Sequence, residues 1–88
     1  MHERSLILNL IQKVTAIATQ QNAVKVTGIA VRLGALSHMS PQHFREHFDV
    51  EAKGTVADGA RLTASVSADV NDPHAQEILL ESVEIEEL

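Results

Sequence analysis

The stretch Val24-Lys25-Val26-Thr27-Gly28-Ile29-Ala30-Val31-Arg32-Leu33 decides how this chain is organised. Val24 and Val26 alternate with Lys25 and Thr27, the two-residue period of a strand with one buried face. Past Gly28 the apolar phase moves by one residue, to Ile29, Val31 and Leu33. A one-position slip at a glycine predicts a β-bulge inside a continuing strand. Gly34 breaks the pattern, and Ala35 to Met39 reads as a loop.

On the N-terminal side of this strand, Arg4 to Gln21 predicts a helix. Leu6, Ile7, Leu10, Ile11, Val14, Ile17 and Ala18 form a stripe at helical spacing, with Asn9, Gln12, Lys13 and Gln20 opposite. Asn22 suits its end. On the C-terminal side, Ser40-Pro41 is a helix start, with serine as the N-cap and proline in the first turn. That helix should run to about Ala52, with Phe44 and Phe48 one turn apart and facing the core, and Gly54 should end it. Asp58-Gly59 marks a turn, and Leu62, Ala64, Val66 and Ala68 predict a second strand. Asn71-Asp72-Pro73 is another turn, before a last strand from Ile78 to Ile85 with Val83 and Ile85 inward and Glu84 and Glu86 outward. The expectation is an α+β domain spanning 1–88, in the order αβαββ: a small, mainly antiparallel three-stranded sheet packed by two helices.

Bulk properties narrow the function. Eighty-eight residues make one domain, and 44% apolar with 22% charged residues is ordinary globular composition. Phe44 and Phe48 are the whole aromatic content, so the core is aliphatic around them. With no cysteine there is no disulfide, thiolate nucleophile or cysteine-held zinc. A net charge of −5 argues against a nucleic-acid partner. The apolar runs are far shorter than a membrane span, and the start lacks the layout of a signal peptide. A cytoplasmic location without membrane association is the expectation.

Chemistry concentrates at the first three residues. The side chain of His2 is large, so the initiator Met1 should be retained. The chain would then open with a free amine followed at once by an imidazole. The Met1 amine, the His2 amide and imidazole, and the Glu3 amide offer four nitrogens in fused chelate rings. A planar set of four nitrogens suits Ni(II) or Cu(II), whereas Zn(II) prefers a tetrahedron. The Glu3 side chain could hold the imidazole or the amine from outside. By residue type alone, the same three residues also read as a solvated terminus.

Several segments together resemble the HypA/HybF family of nickel-insertion proteins for [NiFe]-hydrogenase. They are Met1-His2-Glu3 with Ser5 and Leu6; VTGIAVRLGALS, from Val26 to Ser37; Pro41, Phe44 and Phe48; GTVADGARL, from Gly54 to Leu62; and EILLESVEIEE, from Glu77 to Glu87. The resemblance implies a nickel metallochaperone with Ni(II) held by Met1, His2 and Glu3. It implies a GTPase partner, delivery to the hydrogenase large subunit and, in some organisms, a link to urease maturation. The family's zinc module normally sits between the last two strands on two Cys-x-x-Cys pairs. Here Ala68 to Gln76 is a short cysteine-free connection, so no zinc is expected and the chain resembles the nickel-binding half alone. Where the family often carries an acidic residue, the loop reads His38-Met39-Ser40.

Other histidines are accessory metal candidates. His43 and His47 are one helical turn apart, a spacing able to chelate a metal, although a solvated helix flank has the same pattern. No glutamate stands where a His-Glu-x-x-His protease needs it. His38 precedes that helix and is placed to approach the N-terminus; His74 reads as a surface turn residue. Phosphate-loop and dinucleotide fingerprints are missing, as is a nucleophile–base pair, so no catalysis is expected. The acidic residues Glu81, Glu84, Glu86 and Glu87 read as a solvated strand face. The alternative to a metal carrier is a module that binds maturation partners without donating metal. An edge strand without a neighbour would also suit a homodimer.

Overall fold

The computed structural model describes residues 2–87, with side chains from Glu3 onward. Helix α1 spans His2–Gln20, strand β1 Ala23–Leu33, helix α2 Pro41–Glu51, strand β2 Arg61–Val66 and strand β3 Ile78–Glu87. The order is the αβαββ expected from the sequence. On α1, Ile7, Leu10, Ile11, Val14 and Ala18 are buried, and Leu6 and Ile17 flank them half-buried. The chain leaves α1 through Gln21 and Asn22, whose φ of 55° is one that asparagine tolerates.

Ser40 caps α2 from an extended conformation, its Oγ accepting from the His43 amide at 3.1 Å. The helix stops at Glu51 with Ala52 as C-cap, and Gly54 lies beyond it at φ 79°. Gly54 therefore serves the following turn, where Asp58 accepts from its amide at 3.1 Å.

The sheet order is β2-β1-β3, with β1 central. Strand β1 pairs in parallel with β2 and antiparallel with β3, so the sheet is mixed and one of its two ladders departs from an antiparallel plan. The reason is α2, which lies between β1 and β2 in the chain. A crossover of that kind returns the chain to the starting end of its neighbour.

The bulge expected at Gly28 is present as a register shift between Val26 and Gly28 on the β3 side. A second shift, between Ala23 and Lys25, leaves Val24 exposed despite its apolar character. Gly28 pairs with Arg61 on one flank and Glu84 on the other. Because it has no side chain, Arg61 reaches across β1 to Glu84 at 2.6 Å. Arg32 pairs with Glu81 at 2.7 Å, so part of the acidic strand face is charge-matched.

One apolar cluster joins α1, α2, β1 and β2, with Phe44, Phe48, Ile7, Val14, Val26, Val31 and Leu33 at its centre. Val83 and Ile85 of β3 pack against it half-buried, while Glu84 and Glu86 face out. The two helices and the sheet thus share a single core, which fixes how α1 and α2 approach one another.

Candidate metal centre

Helix α1 starts at His2, beside the candidate centre. Met1 lies outside the described residues, and His2 is described as backbone only. The amides of His2 and Glu3 belong to the first turn of α1. The first four N–H groups of a helix have no carbonyl one turn earlier to accept them. These two nitrogens are therefore uncommitted to the helix ladder.

The side chain of Glu3 points at α2. Phe44 and Phe48 are 0% and 1% exposed and set the rotation of α2 about its axis. The residues one position earlier, His43 and His47, consequently fall on the flank that meets α1. Glu3 Oε1 stands 3.2 Å from His47 Nδ1, and Glu3 Oε2 stands 3.5 Å from His43 Nε2. The two imidazole centroids are 4.4 Å apart with a 30° tilt. One donor atom from each of the three residues lies within 4.8 Å of the other two, the one such group of three metal-binding side chains among the described residues. Glu3 is half-buried, and the histidines are exposed along their outer edges.

Neighbouring contacts hold this arrangement. Arg4 pairs with Glu51 at 3.2 Å, a second tie between α1 and α2. Arg45 donates to the Leu62 carbonyl at 3.1 Å and fixes α2 to β2. The α1–α2 junction therefore carries one carboxylate and two imidazoles whose backbones are anchored by the core. A carboxylate and neutral imidazoles together are oxygen and nitrogen donors; with protonated imidazoles, the same carboxylate accepts charge-assisted hydrogen bonds.

The remaining candidates fall elsewhere. His38 is exposed at φ 60° in the loop before α2 and shares a groove of about 380 Å³ with Glu3 and Met39, but it is not in the three-residue group. His74 lies in the β2–β3 connection, where Glu77 holds it at 2.9 Å. That hydrogen bond, together with the charge of Glu77, raises the imidazole above its ordinary 6.5. From the sequence, His43 and His47 stood out as a pair, but the carboxylate facing them did not. Glu3 lies forty residues away, and only the packing of α1 on α2 brings it there.

The family model described as hydrogenase/urease nickel incorporation, metallochaperone, hypA matches residues 1–72. The hydrogenase maturation factor HypA of Archaeoglobus fulgidus is 39% identical over 66 residues, covering 75% of this chain and 60% of that protein. HypA of Methylocella silvestris is 41% identical over 66 residues, covering 75% and 58%. The maturation factor HybF of Salmonella typhimurium is 36% identical over 62 residues, covering 70% and 55%. The aligned part is thus between 55% and 60% of the length of these relatives. The solution structure of the Ni metallochaperone HypA from Helicobacter pylori superposes with a TM-score of 0.78 at 18% identity, over 98% of each chain. At that identity the likeness establishes a shared fold. No described helix is long and apolar enough to cross a membrane.

Proposed function

The chain belongs to the HypA family of hydrogenase/urease nickel-incorporation metallochaperones, and from that premise we propose that it carries Ni(II) as cargo at its own N-terminus. The observation that carries this reading is the match to the nickel-incorporation family, which begins at residue 1 and so takes in Met1-His2-Glu3. The Met1 amine, the His2 amide and imidazole, and the Glu3 amide would supply four nitrogens. Such a set suits the square-planar preference of Ni(II). The helix start supports this use of backbone nitrogen. The His2 and Glu3 amides have no intrahelical acceptor to lose. Two deprotonated amides cancel the charge of the ion, so the positive end of the helix dipole does not oppose the complex. The chemistry is ligand exchange, in which the ion passes from one donor set to another and no covalent bond of a substrate is made or broken.

Delivery to a hydrogenase large subunit, help from a GTPase and a cytoplasmic setting extend the same reading. The cysteine-free connection of residues 67–77 between β2 and β3 supports placing the chain as the nickel-binding part of the family, without its zinc module. A second reading rests on the partial length of the match to the curated relatives: the fold serves to bind maturation partners and the metal is donated elsewhere.

A calorimetric Ni(II) titration separates the two. Protein with its own N-terminus is compared with protein carrying one extra residue before Met1, and with H2A. The expected result is one tightly bound Ni(II) in the first form that the other two lack, any ion held by side chains alone being common to all three. Its affinity should fall as pH drops, because the amine and the imidazole must both lose their protons to bind the ion. Equal binding by all three forms would refute the N-terminal site and leave the partner-binding reading.

A further inference from the structure

We propose that Glu3, His43 and His47 form a second metal site, distinct from the amine-and-amide site, that takes a divalent ion of borderline softness such as Zn(II) or Ni(II) on side chains alone. The geometry is the argument. Around an ion with ligands at about 2.0–2.1 Å, the edges of a tetrahedron are about 3.4 Å long. Each ring nitrogen faces its own oxygen of the one carboxylate, His47 Nδ1 at 3.2 Å from Oε1 and His43 Nε2 at 3.5 Å from Oε2, separations close to that length for a carboxylate that reaches the ion through either oxygen. The tilted, closely spaced imidazoles present their donor nitrogens to the same carboxylate, and all three donors fall within 4.8 Å. The spacing of the histidines by one helical turn supplies the pair, and the first turn of α1 supplies the oxygen.

Two imidazoles and a carboxylate are a donor set that Zn(II) accepts with a fourth position left to water. Nickel takes imidazole as well. Because the histidines are exposed at their outer edges, an ion bound here stays open to solvent and to an incoming ligand. The site would therefore be an exchangeable one.

This site does not depend on the chain's amine, and the test exploits that. Protein with one extra residue before Met1 has no free amine at that position and reports on the side chains alone. It is titrated with Zn(II) by calorimetry, while the histidine ring signals are followed by NMR. One ion per chain is expected, with the His43 and His47 signals shifting together and those of His38 and His74 staying in place. The double variant H43N/H47N should lose the ion. H47N and E3Q should each weaken it by more than the about 10–100-fold that follows loss of an outer hydrogen-bond partner of a metal ligand. No zinc uptake by the blocked protein would overturn the proposal and leave Glu3 as an ion-pair partner of the two histidines. Uptake that shifts His38 or His74 instead, or that survives H43N/H47N unchanged, would overturn it equally. The ring-signal measurement uses the unsubstituted side chains, so it stands whatever the variants do to folding.

Discussion

Substituting alanine at two buried glycines, one within β1 and one at its exit, should give unequal results, although both face steric obstruction. At Gly34 a Cβ would run into the backbone of the β2–β3 connection, against the carbonyl of Ala75 and 2.7 Å from the carbonyl oxygen of His74. Those atoms belong to the turn that hydrogen-bonds back to the loop, Gly34 N–H to Glu77 at 2.9 Å and Leu36 N–H to Ala75 at 2.7 Å. Relief must therefore come from moving a backbone segment. Overpacking of that kind costs about 1–3 kcal/mol, and two hydrogen bonds weakened by the displacement add about 0.5–1.5 kcal/mol each. The total, about 2–6 kcal/mol, is a large share of the roughly 4–13 kcal/mol expected of a domain this size. At Gly28 the obstruction is the carboxylate end of Glu84. That side chain can swing away, giving up its pair with Arg61, and both partners are well exposed. An exposed pair contributes about 0–1 kcal/mol. Urea unfolding of G28A and G34A, followed by circular dichroism, makes the comparison. G34A should lose at least about 2 kcal/mol, corresponding to a melting temperature lower by about 8 °C or more, and G28A should stay within about 1 kcal/mol of the parent. Equal losses, or a G34A protein as stable as the parent, would refute the distinction between a backbone obstacle and a flexible one.

Phe44 is fully buried at the centre of the core, so F44A should cost about 3–5 kcal/mol in the same urea experiment; a smaller loss would mean that α2 is held mainly by Arg45 and the Arg4–Glu51 pair. The imidazole of His74 should titrate above 6.5 by NMR, and E77Q should bring it down, since the Glu77 hydrogen bond is the leading cause of the shift. The sign follows from the raised value: this contact's stabilisation is fully present below the unfolded imidazole's pKa and is lost as pH rises through the folded one. A His74 titration unchanged in E77Q would show that the contact does not persist in solution.

The elements of this fold are legible in the sequence because each is written in a local period. The helical stripe of α1 predicts its buried residues, and the phase slip at Gly28 predicts the bulge. The direction of β2 was less visible, since alternation of Leu62 and Ala64 says nothing about which way a strand runs. The signal that could have supplied it is the helix itself: a strand, a helix and a strand in succession make a crossover, and neighbouring strands joined that way are parallel. Val24 misled for a related reason. Its period is right for burial, but a second register shift, between Ala23 and Lys25, leaves it exposed.

The side chains of the candidate metal centre divide along the same line between local and non-local information. The spacing of His43 and His47 is a helix property, and their orientation follows from Phe44 and Phe48, which take the buried face and leave the histidines on the flank. Nothing local pairs them with Glu3. That pairing requires α1 and α2 to cover one sheet and share one core, which brings the first turn of α1 beside α2. The consequence for function is that Glu3 is common to the two proposed donor sets, which differ in chemistry. In the proposed N-terminal site its amide would join the nitrogens of Met1 and His2, and its carboxylate faces the imidazoles of α2. A single residue at a helix start can serve both because the amide in the first turn and the side chain on the helix flank point to different neighbours. The two proposed sites are therefore separable by experiment, one by blocking the amine and the other by replacing the histidines.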